Sequence, residues 1–265
     1  MTDFVLETMA FARTLALEAS AMLREAAGQS HAVNFKSPGD WCSEVDRQVE
    51  AHLRHRIAQT FPQHGFLGEE SATSRVTQGY LWVVDPLDGS MNFLRGYPQY
   101  SVSIALLLDA EPIAACIFDP CRQEVFVAGA GHGARLNSVP LKVAPSQALS
   151  EAMVGTVFPK PGSALMQTYL PQLSRALAAT AGLRRSGSMA LELAYLAAGR
   201  LDAFWAHGMG CWDAAAGVLL IREAGGQVFS LDGLPWCDSQ SLAAATPGVA
   251  HAWQALLMQD HAVGT

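Results

Sequence analysis

The stretch LWVVDPLDGSMNF at 81–93 runs four apolar residues into two carboxylates three apart, then a glycine, a hydroxyl and an amide. Two carboxylates a few ångströms apart in an apolar setting cannot both stay ionised unless a cation or a proton compensates them. Asp85 and Asp88, at the end of a strand, therefore ask for a positive partner. Two further acidic segments accompany them: Glu69 and Glu70 in GEES at 68–71, and Asp213 in WDAAAG at 212–217. Hard oxygen donors collect without a His or Cys beside them, a set that favours Mg²⁺ over zinc. Gly89 lets backbone approach closely, and a chain turning from strand into helix at 89–91 offers amide N–H groups to an anion. A divalent metal beside an anion pocket points to phosphate.

These segments together, GEES, then WVVDPLDGSMNF, then WDAAAG followed by EAGG, resemble the inositol monophosphatase family, on the side of its bacterial inositol-1-monophosphatases. The likeness covers nearly the whole chain. It implies a mixed α/β (α+β) fold layered as an αβαβα sandwich, a homodimer, sensitivity to lithium, and two or three Mg²⁺ ions per site. It further implies that Glu69, Asp85, the Leu87 carbonyl, Asp88 and Asp213 are metal ligands, with Asp85 bridging two ions. Gly89 and Ser90 would hold the phosphate, while Asp46, Glu70 and Ser90 place and deprotonate the attacking water. The reaction implied is in-line attack of a metal-activated water on a phosphate monoester, with no phospho-enzyme.

The substrate side is where the resemblance thins. RRSGSMALELAYLAAGR at 184–200 matches the region that lines the sugar, which with Asp88 makes Gly187, Ser188, Met189, Ala206 and His207 candidate substrate contacts. Met189 stands where the family usually has alanine. Ala206 stands seven residues before Asp213, where the family usually has an acidic residue facing inositol hydroxyls. Losing an acceptor for a buried hydroxyl weakens selection among polyols, so phosphatase chemistry is read more firmly than inositol preference, and inositol 1-phosphate is the first expectation only through the resemblance. Fructose 1,6-bisphosphate, histidinol phosphate or a nucleotide 3′-phosphate are the alternatives, and a regulatory binding protein that retains the fold is the rival of another class.

The elements that must position these groups follow from periodicity. Apolar positions at helical spacing predict a helix over 3–27 closed by Gly28, and a second beginning at Ser43 with Val45, Val49, Leu53 and Ile57 on one face. Strands are expected at 65–67, 80–84, 101–108, 112–118 and 124–128, with a hairpin turn at 109–111. The second half reads as strand 152–157, helix 163–179, helix 190–198 ended by Gly199, strand 201–205, helix 212–223 ended by Gly225-Gly226, strand 227–230 and a helix near 251–258. One domain over 1–265 is expected, with possible subdomains of about 1–145 and 146–265.

Several features have plainer explanations. Ser43-x-x-Asp46 taken alone is the pattern of a helix cap, and Asp213 at a helix start is favoured by the helix dipole. His52 and His55 read as surface residues. Cys116 and Arg122 have the C-x5-R spacing of a thiol-dependent phosphate loop, yet residues 117–121 contain no glycine, and Pro120 has no N–H to give. The 265 residues carry 17 basic and 24 acidic side chains, a net charge of −7, without a basic run, which argues against nucleic acid as the primary ligand. Five cysteines without a CxxC pair suit reduced thiols in the cytoplasm. The charged residues of the first twenty positions argue against a signal sequence or a membrane span.

Overall fold

The computed structural model describes residues 2–29, 33–37, 40–71 and 78–259. The elements run α1 (Thr2–Ala26), β1 (Val33–Ser37), β2 (Asp40–Ser43), α2 (Glu44–Thr60), β3 (Gly65–Gly68), β4 (Tyr80–Asp88), α3 (Ser90–Leu94), β5 (Ser101–Leu108), β6 (Glu111–Asp119) and β7 (Glu124–Gly129). They continue with β8 (Gly133–Leu136), β9 (Val139–Pro140), β10 (Met153–Val157), α4 (Met166–Ala179), β11 (Gly182–Arg184), α5 (Met189–Ala197), β12 (Ala203–His207), α6 (Cys211–Glu223), β13 (Gln227–Ser230), β14 (Ser241–Ala245) and α7 (Pro247–Met258).

Strands β3 to β9 lie side by side in chain order as a seven-stranded sheet, parallel only between β3 and β4. A second sheet has the order β11-β10-β12-β14-β13, and β1 with β2 forms a separate hairpin. Both faces of the large sheet are covered, which is why YLWVV and SVSIALLL read as continuous apolar runs rather than alternating ones. Trp82, Val84, Ile104 and Phe118 pack on one side against Leu15, Leu23, Val49 and Leu53 of α1 and α2. Leu81, Val83, Ile117 and Phe126 face the other way, into a layer made by α5 and α6. The opposite side of that helical layer meets Phe204, Ala206, Leu242 and Ala244 of the second sheet. Trp205, Ala243 and Ala245 turn outward to Tyr169 of α4 and Trp253 of α7. The order of layers is thus helix, sheet, helix, sheet, helix: the αβαβα sandwich expected.

Most predicted elements are present, with shifted ends. The hairpin turn is made by Asp109 and Ala110, both at positive φ (50° and 68°), the left-handed pair that a two-residue turn needs to follow strand twist. Strand β4 runs four residues past its predicted end, through Pro86 to Asp88. Strands β1, β2, β8, β9, β11 and β14 were not anticipated from the sequence.

The middle layer rests on a close approach of α5 and α6. A Cβ at Gly217 would lie 2.5 Å from Leu193 Cβ, so the two helices touch where one has no side chain. Glycine inside a helix normally costs about 1 kcal/mol relative to alanine, and overpacking a filled core costs about 1–3 kcal/mol. Gly217→Ala is therefore expected to lower stability by up to about 2 kcal/mol, the overpacking cost less the helix-propensity gain, measured as a shift of the urea midpoint; a gain in stability would show the helices have room to move apart.

Candidate active site

Strand β4 pairs with β5 in regular antiparallel register from Tyr80↔Leu108 to Asp85↔Ser103, then resumes at Asp88↔Ser101. Three steps on β4 oppose two on β5, so one residue is extra. In an unbroken strand, residues 85 and 88 would point to opposite faces. The bulge at Pro86-Leu87 removes that parity, and both carboxylates border one cavity of about 160 Å³. Pro86, which has no N–H to give a ladder, sits where the ladder is interrupted. The Leu87 amide donates to Asp85 Oδ1 at 3.0 Å and fixes that side chain.

Asp88 is held differently. Its carboxylate accepts the amides of Met189 (3.2 Å) and Ala190 (2.8 Å), together with the hydroxyls of Ser188 and Ser101. The start of α5 therefore rests on a buried anion, a stabilising arrangement at a helix N-terminus. Asp213 occupies the third position of α6 and accepts the Gly210 amide at 2.6 Å, so its capping geometry is real. It also lines the cavity with Asp85 and Asp88. Glu69 follows β3, which lies parallel to β4, and its amide donates to the Val84 carbonyl at 3.2 Å.

Four carboxylates from three separate segments thus border one small space. Burial, reinforced by Glu69, Asp88 and Asp213, pushes the Asp85 carboxyl well above the usual carboxylate range. Burial does the same to Asp213, helped by Glu69 and Asp88 and opposed by the Gly210 amide and Lys160. Asp88 is raised by burial, with its four donors pulling it back. The donor set is oxygen only, and the carboxylates outnumber the cationic side chains near it, Arg185 and Lys160, which fits a hard divalent cation.

Beside the carboxylates, Gly89 adopts φ +96° and caps α3. A Cβ there would come within 3.0 Å of the Gln99 carbonyl and 3.2 Å of the Gly187 carbonyl, so the position tolerates only glycine. Ser90 donates to Asp46 Oδ1 at 2.5 Å and also lies 3.0 Å from the Leu87 carbonyl. The other Asp46 oxygen accepts the Ser43 amide (2.9 Å) and hydroxyl (2.6 Å), a capping box on α2. Asp46 is both a helix cap and the partner of Ser90, so the capping pattern read from Ser43-x-x-Asp46 is present and leaves one carboxylate oxygen to Ser90. Glu70 is placed by Glu50, which accepts its amide at 2.7 Å, and by Cys42, whose thiol donates to Glu70 Oε2 at 3.0 Å. Cys42, Asp46 and Glu70 bring one donor atom each within 4.8 Å of one another.

A larger cavity of about 960 Å³ adjoins this space and shares Glu69, Asp88, Met91, Arg185, Gly187 and Asp213 with it. Met189, Ala206 and His207 form part of its wall, as do Phe158 to Pro161. Ser188 is turned inward to Asp88 instead. The His207 ring bonds Ser241 Oγ through Nδ1 (2.6 Å) and Gln172 Oε1 through Nε2 (2.7 Å). Gln172 gives its amide N–H to the Leu257 carbonyl at 3.0 Å, so its oxygen faces His207 and Nε2 must carry the proton. Burial lowers the His207 pKa, in keeping with this neutral form. Both ring nitrogens are engaged within the protein.

Cys116 is buried and its thiol is pushed up to about 12 by burial, while Arg122 bonds Asp119, so the C-x5-R spacing builds no nucleophile. Trp41, Cys42, Glu50, Asn92 and Arg185 were not singled out from the sequence. Only Glu50 carried a signal: with Asp46 it puts acidic residues at i and i+4 on the apolar face of α2, and both are buried. Among the described residues, no helix is long and apolar enough to cross a membrane.

The model of the inositol monophosphatase family matches residues 5–262. An inositol-1-monophosphatase of Rhizobium meliloti is 44% identical over 199 residues, 75% of each chain. The Nus factor SuhB of Pseudomonas aeruginosa is 42% identical over 206 residues, 76% of each chain. The solved inositol monophosphatase of Anabaena superposes with a TM-score of 0.83 at 33% identity, covering 96% of both chains. A structure described as inositol monophosphate-bound SaIMPase-II does so at 0.77 and 26%, covering 94% of this chain and 92% of its own. With its family match running almost end to end, its αβαβα layers and its carboxylate-lined cavity, this chain belongs to the inositol monophosphatase family.

Proposed function

We propose that the protein is a Mg²⁺-dependent phosphate monoester hydrolase acting on inositol 1-phosphate and closely related polyol phosphates. The observation that carries this reading is the convergence of Glu69, Asp85, Asp88 and Asp213 on one cavity beside the Gly89-Ser90 turn. These carboxylates, with the Leu87 carbonyl, would hold the metal. When bound, Mg²⁺ would neutralise phosphoryl oxygens and acidify a water. The chain's own residues do the rest. Gly89 clears space for the phosphate, and the first turn of α3 presents amides that have no partner within the helix. Ser90, hydrogen-bonded to Asp46, orients the attacking water and passes its proton to that carboxylate. Glu70, fixed by Glu50 and Cys42 beside Asp46, would help place the same water. The polyol occupies the larger cavity, where Ala206 gives it an apolar wall.

A regulatory role is the second reading, favoured by relatives named Nus factor SuhB. The full acidic set argues that catalysis is retained beside any such role. Phosphate release from inositol 1-phosphate, fructose 1,6-bisphosphate, histidinol phosphate and a nucleotide 3′-phosphate, with Mg²⁺ or with chelator, tests the proposal. Release only with Mg²⁺, greatest for inositol 1-phosphate, is expected. No release from any of the four at saturating Mg²⁺ would overturn it.

The carboxylates make a second prediction. The folded-state pKa values of Asp85 and Asp213 lie above their unfolded values, so these groups' contribution is full below about pH 4 and is lost as pH climbs through the raised values. Without divalent cation the protein should become less stable towards alkaline pH, and Mg²⁺ should raise the Tm more at pH 8 than at pH 5. Asp85→Asn should raise the metal-free Tm at pH 8 by a few degrees, on the order of 1 kcal/mol. It should also abolish most of the Mg²⁺ shift and lower kcat/KM by about 10³-fold or more. A wild-type Tm at pH 8 indifferent to Mg²⁺ would refute the metal assignment.

The Ala206 wall makes a third. Ala206→Glu restores an acceptor, so it should favour inositol 1-phosphate over glycerol phosphate by about 1–3 kcal/mol in kcat/KM. An unchanged ratio would mean that the polyol does not reach β12.

A further inference from the structure

Glu192 is the one acidic residue of α5, set in MALELAYLA and almost fully buried. Its Oε1 accepts the Ser186 amide at 2.7 Å. Its Oε2 has no hydrogen-bond partner, and neither does the buried Ser186 hydroxyl close by. Room for this carboxyl exists because residue 155 on β10 is glycine: a Cβ there would overlap Glu192 Oε2. A buried acid with an open oxygen is costly to keep, and its location suggests why it is kept. The segment it grips, residues 185–188, borders both cavities. The Ser186 carbonyl accepts the Asn92 amide group at 3.0 Å, and Asn92 also binds the Gln99 carbonyl at 2.6 Å. Gly187, at φ +90°, packs its carbonyl against Gly89. Ser188 then bonds Asp88.

We infer that Glu192, seated against Gly155, is a positioning residue that fixes residues 185–187 against Asn92 and Gly89 and so sets the phosphate-side wall of the active site. This rests on the reading of that cavity as the phosphate site. Burial moves the Glu192 carboxyl up to about 7; the Ser186 amide, the nearby Ser186 hydroxyl, which does not reach hydrogen-bond geometry, and Arg185 oppose the rise, and Asp88 adds to it. Glutamine therefore reproduces the neutral form of the side chain, accepting from the Ser186 amide as the acid does.

The test has two independent readouts. Hydrogen exchange of the metal-free protein follows the Ser186 amide directly. Glu192→Ala should speed its exchange about tenfold or more, while Glu192→Gln stays within about twofold of wild type. In steady-state kinetics on inositol 1-phosphate with Mg²⁺, Glu192→Ala should raise KM about fivefold or more while kcat stays within about threefold, and Glu192→Gln should restore KM. A side chain needed only for stability would lower the active fraction, and hence apparent kcat, at constant KM. Should Glu192→Ala not fold, the pairing with β10 gives the same comparison: Gly155→Ala alone should loosen Ser186, and Gly155→Ala with Glu192→Asp should restore it. Unchanged Ser186 exchange in both Glu192→Ala and Gly155→Ala, or a fall in kcat at fixed KM, overturns the inference. Absence of phosphate release by the wild type strikes the catalytic reading, and Ser186 exchange still decides whether Glu192 holds the loop.

Discussion

The Asp88 carboxylate takes the first amides of α5 and the hydroxyls of two serines, and the arrangement of the molecule depends on that knot. It joins the end of a strand in the large sheet to the beginning of a helix in the middle layer. That helix packs on α6, and α6 carries Asp213 to the same place. The contacts that stack the layers are therefore also those that force negative charges together. A fold built in this way cannot relax the repulsion by letting the carboxylates drift apart, because one of them anchors a helix.

Stability and charge pull against each other at this point. Asp88 is compensated by donors and contributes to the fold even though buried. Asp85 and Asp213 each have one amide donor and are dominated by burial and by their neighbours, so they are strained as anions. All three aspartates are raised by burial, but only Asp88 has four donors opposing the rise and an anchored helix to show for it; functional sites commonly carry the least favourable local energetics.

Much of this was legible in the residues. The apolar runs gave the central strands because both faces are covered, and DPLDGS announced the end of β4. What stayed hidden was decided by contacts distant in sequence. SLAAA at 241–245 is poor in β-branched residues and reads as helix former. It is a strand because it lies between β12 and β13, where alanines face Trp205 and Trp253. Strands β8, β9 and β11 are two to four residues long and exist only as ladder partners. The bulge at Pro86-Leu87, which brings Asp85 and Asp88 to one side, depends on the register of β5. Glu50, Cys42 and Glu192 act on groups 20, 28 and 6 residues away, and nothing local marks a target.

The contact between Gly217 and Leu193 has a consequence beyond packing. It sets how near α6 lies to α5, and the two helices carry or anchor carboxylates at their first turns, Asp213 on one and Asp88 at the start of the other. The missing methyl group at residue 217 acts as a gauge block: the width of the gap between two anions is machined by a dry helix contact that no ligand touches. The spacing of these two carboxylates is then inherited from core geometry, and a change at a residue remote from the cavity shifts it without altering either acidic side chain.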